Sequence, residues 1–173
     1  MFPCYTPGAP TTLTVLEPSW ALVALAAHAT NLSGVGGAAL PWLAAIAASC
    51  PAWQATYGAS IDVVATVREA AALPATPLQP ADVLGPVTPT TTTVVLGDDL
   101  AVFDGPTGRI HVLNAGAAFV WRCVPDAADE QGLTEVALAR SPAASLDRPS
   151  VSSTVEHLAR AGLLPDRMSV NRE

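Results

Sequence analysis

Between Pro74 and Pro89 the chain places five prolines in sixteen residues, and the pattern of apolar residues differs on either side. Proline fixes φ and removes an amide donor, so the stretch cannot continue a helix or sit inside a central strand. Residues 74–89 therefore read as an extended linker. They divide the 173 residues into a first part with helical spacing and a second that begins with strands.

Before the linker, residues 1–12 are rich in Pro, Thr and Gly and read as a flexible N-terminus. Residues 13–73 read as a mostly helical, Ala-rich segment of unknown role. Glu17-Pro18-Ser19 opens a first helix with proline in its first turn, and Asn31 to Gly37 breaks it. A second helix runs from Ala38 or Pro41 to Ser49 and stops at Cys50-Pro51, and a third is expected from Ser60 to Leu73. Between Glu17 and Asp62 no residue carries a formal charge. Ala-rich helices bury little area each, at about 25 cal/mol per Å² of apolar surface. The segment therefore needs its neighbours or covers a partner. The apolar runs are too short and too often interrupted for a membrane span, which needs about 20 apolar residues, so no membrane partner is expected.

After the linker the residues turn β-branched. Thr91 to Leu96, Leu100 to Phe103 and Arg109 to Leu113 read as three short strands, with Asp104-Gly105-Pro106-Thr107-Gly108 as the hairpin turn. Asn114 is placed to cap a helix that continues through Phe119, Trp121 and Cys123, with Phe119 and Trp121 expected in the core. A second helix covers Glu130 to Arg140. A third starts at the cap residue Asp147 and ends at Ala161, with Gly162 following. The fold class is thus α+β: three short antiparallel strands followed by three helices, winged-helix-like, over residues 90–165, preceded by the helical segment and followed by a tail at 166–173.

Two passages carry a resemblance. The first is Val102-Phe103-Asp104-Gly105-Pro106-Thr107-Gly108-Arg109-Ile110-His111-Val112-Leu113-Asn114-Ala115-Gly116-Ala117-Ala118. The second is Val151-Ser152-Ser153-Thr154-Val155-Glu156-His157-Leu158-Ala159-Arg160-Ala161-Gly162-Leu163-Leu164. In this order they resemble the PqqD-like family, recognition domains for ribosomally made precursor peptides, over less than half the chain. The resemblance implies capture of a leader peptide as an added strand, which is then presented to a modifying enzyme. It places the edge at Arg109, Ile110, His111, Val112 and Leu113. The helical wall would run from Arg148 to Ala159, with Val151, Ser152, Val155 and Ala159 on it. An exposed strand edge offers unpaired amides and carbonyls to such a peptide.

The remaining readings follow from chemistry. If Leu113 faces the core beside Phe119, His111 and Arg109 share its side of the strand, and Ile110 and Val112 face the other way. His111 reads as a structural or merely exposed residue, His28 as a core or interface histidine, and the acids near turns as caps. No Ser/His/Asp or Cys/His arrangement is visible, so the protein is not expected to be an enzyme. Cys4, Cys50 and Cys123 form no CxxC pair and no Cys/His cluster, so neither metal nor cofactor is expected. A winged-helix DNA-binding regulator is the alternative. Against it stand the chain's net charge of −7 and the nine acids against five arginines in residues 90–165, a local net charge of −4. Such a surface repels phosphate, and no nucleic-acid partner is expected. A further alternative makes the chain the recruiting subunit of a peptide-maturation complex, with residues 17–73 docking on the enzyme. The first ten residues lack the features of a secretory signal, and a cytoplasmic location is expected.

Overall fold

The computed structural model describes residues 1–29, 32–59, 64–65, 67–68, 78–85, 91–141, 146–165 and 168. Most of the helix expected over 60–73 lies outside them, as do parts of the Pro-rich stretch and of the 166–173 tail. The chain forms two compact units, Met1–Val112 and Leu113–Glu173. The architecture is mixed α+β.

The first unit holds two three-stranded sheets and a layer of helices. Strands β1 (Phe2–Tyr5), β2 (Thr12–Val15) and β3 (Trp53–Tyr57) form one sheet in the order β1-β3-β2, with β1 parallel and β2 antiparallel to β3. This corrects the expectation that residues 1–12 are loose, and it adds strand residues to the segment 13–73, whose described residues are otherwise largely helical. The pairing joins segments about fifty residues apart, so no local periodicity announces it. Gly58 follows β3 where a Cβ would stand 2.6 Å from the Ala9 carbonyl oxygen. Only glycine lets the β1–β2 connection approach that closely.

Helix α1 (Pro18–His28) starts with Pro18 in its first turn, where the missing amide would have had no helical partner. After α2 (Leu32–Val35) a short 3-10 turn, Gly36–Ala39, leads into α3 (Leu40–Ser49). Cys50, the residue before Pro51, is extended at φ −101°, ψ 122° and ends α3. The clash of a proline ring with the preceding residue's helical conformation accounts for the stop.

The second sheet consists of β4 (Thr91–Leu96), β5 (Asp99–Asp104) and β6 (Arg109–Leu113), ordered β4-β5-β6. β4 and β5 are antiparallel, with Val94 opposite Ala101 and Thr92 opposite Phe103. Helices α1 and α3 share one core with this sheet. Ala21 and Leu22 from α1 meet Leu40, Ala44 and Ala47 from α3, and Val94, Leu96, Ala101 and Phe103 from the strands. The Ala-rich segment therefore has its covering within its own chain: small side chains let the helices lie close to the sheet, and the strands supply the larger groups. Part of the Pro-rich stretch runs along β4, where Leu84 N–H donates to Thr93 O (2.8 Å) and Val95 N–H to Asp82 O (2.9 Å).

The second unit contains α4 (Ala115–Arg122), α5 (Glu130–Arg140) and α6 (Arg148–Arg160). The three strands and three helices of residues 91–160 follow in the order the sequence predicts. Each helix begins at a side-chain cap: Asn114 accepts from Ala117 N–H (3.0 Å), Asp129 from Gly132 N–H (2.7 Å) and Asp147 from Ser150 N–H (2.9 Å). Helix α6 ends with Gly162 at φ +73°. There Gly162 N–H bonds Ala159 O and Leu163 N–H bonds Leu158 O, both at 3.0 Å. This paired closure needs a left-handed residue, which glycine supplies without strain. Phe119 and Trp121 are only half-buried, contrary to expectation, while Ala118, Val120 and Cys123 are buried in their place. On an eight-residue helix the inward face is about three residues wide, and the small side chains hold it.

Asn114 links β6 to α4, and its replacement tests that junction. Asn114→Ala is expected to lower stability by about 0.5–2 kcal/mol, as loss of a cap does. Chemical unfolding would show the midpoint falling with an unchanged slope.

Candidate functional site

The two edges of the second sheet differ. Along β4 the outer backbone is engaged by residues 82–84, including a bridge between Val83 and Val94. On the other side β6 is the edge, and among the described residues no strand lies beyond it. An edge of this kind presents an unmatched row of amide and carbonyl groups.

A groove of about 430 Å³ runs beside β6, lined by Gly108, Arg109, Ile110 and His111 on one side and by Val23, Ala26, Ala27 and Leu32 on the other. Side chains of a strand alternate between its two faces, so four successive residues can share one groove only if it follows the backbone edge. The facing wall is built by α1 and the start of α2. Its position is fixed because Ile110 and Ala26 both pack against the core around Leu22.

The edge residues have different roles. Arg109 is exposed and, among the described residues, has no ion-pair partner. Ile110 faces the helical core, whereas Leu113 is buried, in keeping with the alternation expected from the sequence. Val112 is half-buried. Nε2 of His111 is buried and, among the described residues, has no hydrogen-bond partner, an uncommon condition for a buried polar atom.

The residues expected on the helical wall belong to the second unit. There Val151 and Val155 are 1% and 3% exposed, so both serve as core residues of α6. Ser152 is exposed and Ala159 half-buried. Arg148 forms a two-pronged pair with Glu135, at 2.7 and 3.2 Å. This pair holds the Glu135 carboxyl below its ordinary value of 4.5, chiefly through the hydrogen bond from Arg148 and then through its charge. A depressed carboxyl contributes stability above the ordinary glutamate range and loses it as pH falls through the lowered value. Because both groups are solvated, the effect on stability is small. An NMR titration is expected to find Glu135 titrating below an ordinary glutamate, and Arg148→Gln is expected to return it to that range.

Other chemistry-bearing groups have structural surroundings. His28 stacks on Phe2, with ring centroids 6.5 Å apart. Burial pushes the Cys123 thiol up, with Arg140 opposing, so the thiol is a packed group and a poor nucleophile. Among the described residues no group of three His, Cys, Asp or Glu side chains could hold a metal ion, and no helix is long and apolar enough to cross a membrane. The strand Arg109–Leu113 lies at the edge of its sheet, where the sequence reading expects an edge, whereas that reading does not single out Val23, Ala26, Ala27 and Leu32 on the facing side of the groove. The uncharged run from 18 to 61 was the available signal, yet only the tertiary pairing assigns part of it to this groove.

No family model matches the chain, and no curated protein matches it. A search of solved structures finds TbiB1 in complex with the TbiA(beta) leader peptide, at 19% sequence identity and a TM-score of 0.36, covering 47% of this chain and 96% of TbiB1.

Proposed function

We propose that the protein binds the leader region of a ribosomally made precursor peptide by adding it as a strand to β6, and presents it to a separate modifying enzyme. The observation that carries this reading is the open backbone edge of β6 with a groove running along it. The passages that resemble the PqqD-like family include this edge and the turn before it. In this reading the chain itself is not an enzyme and uses no cofactor: it supplies binding and orientation, and the partner supplies the chemistry. Trp20 and Trp42, 67% and 52% exposed in a segment free of formal charge, are the surface offered to that partner. The alternative, a nucleic-acid ligand, is disfavoured by the net charge of −4 over residues 90–165, nine acids against five arginines.

The test is a titration of the full chain with a fluorescently labelled leader peptide, taken from a small open reading frame beside this gene and followed by anisotropy. Saturable binding with a dissociation constant on the order of micromolar is expected, about −8 kcal/mol. Strand addition gains only about 0.5–1.5 kcal/mol net for each backbone bond and must offset the ordering of a flexible segment. A flat titration, together with a mobility shift of duplex DNA at low salt, would favour the regulator reading instead.

A further inference from the structure

We infer that α1 is the second wall of the peptide groove and that it makes the groove selective for a strand bearing apolar side chains and one carboxylate. This inference rests on strand addition at β6. It goes further in assigning part of the recognition to the helices before the Pro-rich stretch.

Two observations converge on it. Val23, Ala26, Ala27 and Leu32 form a wall without any polar side chain, opposite the edge residues Gly108 to His111. A strand lying in such a groove meets hydrogen-bonding groups along one side and apolar surface along the other. Its apolar side chains gain burial there, and a charged side chain aimed at the wall loses solvation without a partner. Secondly, Arg109 alone among the lining residues carries a formal charge, and among the described residues no acid pairs with it. By contrast, Arg140, Arg148 and Arg160 are each held by a carboxylate at 2.6 or 2.7 Å. An unpaired guanidinium at the rim of an uncharged groove favours a peptide acid and disfavours a peptide base, and so sets the register of the added strand. At about 430 Å³ the groove falls within the range of roughly 300–1,000 Å³ usual for ligand sites and takes a short stretch of chain.

A random decapeptide display library, selected against the full chain, tests the assignment. The recovered peptides are expected to alternate apolar and polar residues and to be enriched in Asp or Glu at one position. Ala27 is exposed and Val23 is 39% exposed, so substitutions there keep the core intact. Ala27→Trp fills the groove and is expected to weaken the selected peptides about tenfold, and Val23→Glu to weaken the acidic ones by a similar factor. Arg109→Glu is expected to change the selected charge from acidic to basic. Suppose instead that the recovered peptides carry no acidic bias and bind Ala27→Trp and Val23→Glu as tightly as the unaltered chain, yet fail on a folded variant with proline in the β6 edge. Strand addition would then stand and the α1 wall would be overturned. Recovery of no peptide above background, or of peptides indifferent to both the proline and the groove variants, would overturn both.

Discussion

Phe103→Ala is expected to lower the stability of the protein by about 3–5 kcal/mol, the usual consequence of emptying an aromatic site in a closed core. Phe103 is 1% exposed and lies on β5, the middle strand of its sheet, among residues of α1, α3 and β4. Loss of the ring leaves a void in the cluster that Phe103 shares with residues of α1, α3 and β4, and the central strand has little freedom to collapse into it. Natural domains are stable by only about 5–15 kcal/mol, so a change of this size removes a large fraction of the total. Because the helices before the Pro-rich stretch and the strands after it share this core, far-UV circular dichroism and the environment of Trp42 should change in one transition in urea. A variant whose helices keep their signal after the strands are lost would contradict a shared core. Val15→Ala, on an exposed strand, is the control and is expected to fall within about 0.5 kcal/mol of the unaltered protein.

A pair of proline substitutions should have the largest effect on binding. Amides of adjacent residues in a strand point in opposite directions. Of His111→Pro and Val112→Pro, one therefore removes a bond to β5 and the other an outward amide of the edge. The outward variant keeps its fold, because an edge strand tolerates proline on its open side. It is expected to bind the leader peptide at least about tenfold more weakly, since it loses a backbone bond and sets a ring where the added strand would lie. The inward variant should show reduced thermal stability instead. Peptide affinity unchanged in whichever variant remains folded would sink strand addition at β6 and leave the groove without its principal donors and acceptors.

Much of the second sheet and the three helices of the second unit were legible in the residues themselves, although the half-burial of Phe119 and Trp121 was not. The β-branched runs, the turn at 104–108 and the caps Asn114, Asp129 and Asp147 act over a few residues, and the structure reproduces those elements almost to the residue. So did Gly162, whose left-handed conformation follows from its place after an apolar stripe. The same local chemistry fixed Arg109 to Leu113 as a strand and thereby offered an edge.

Local pattern could not tell which edge stays open, which faces are covered or what stands across from the edge. The sheet of β1, β2 and β3 depends on pairing across about fifty residues, and four- to five-residue strands carry too little periodicity to reveal it. Val23, Ala26 and Ala27 read as ordinary positions of an Ala-rich helix. They become a wall only because Leu22 and Phe103 draw α1 onto the sheet beside β6. Secondary structure is set by short-range hydrogen bonding and side-chain shape, which the sequence states directly. The groove is set by the burial of apolar surface between distant segments, and only the folded chain brings those segments together.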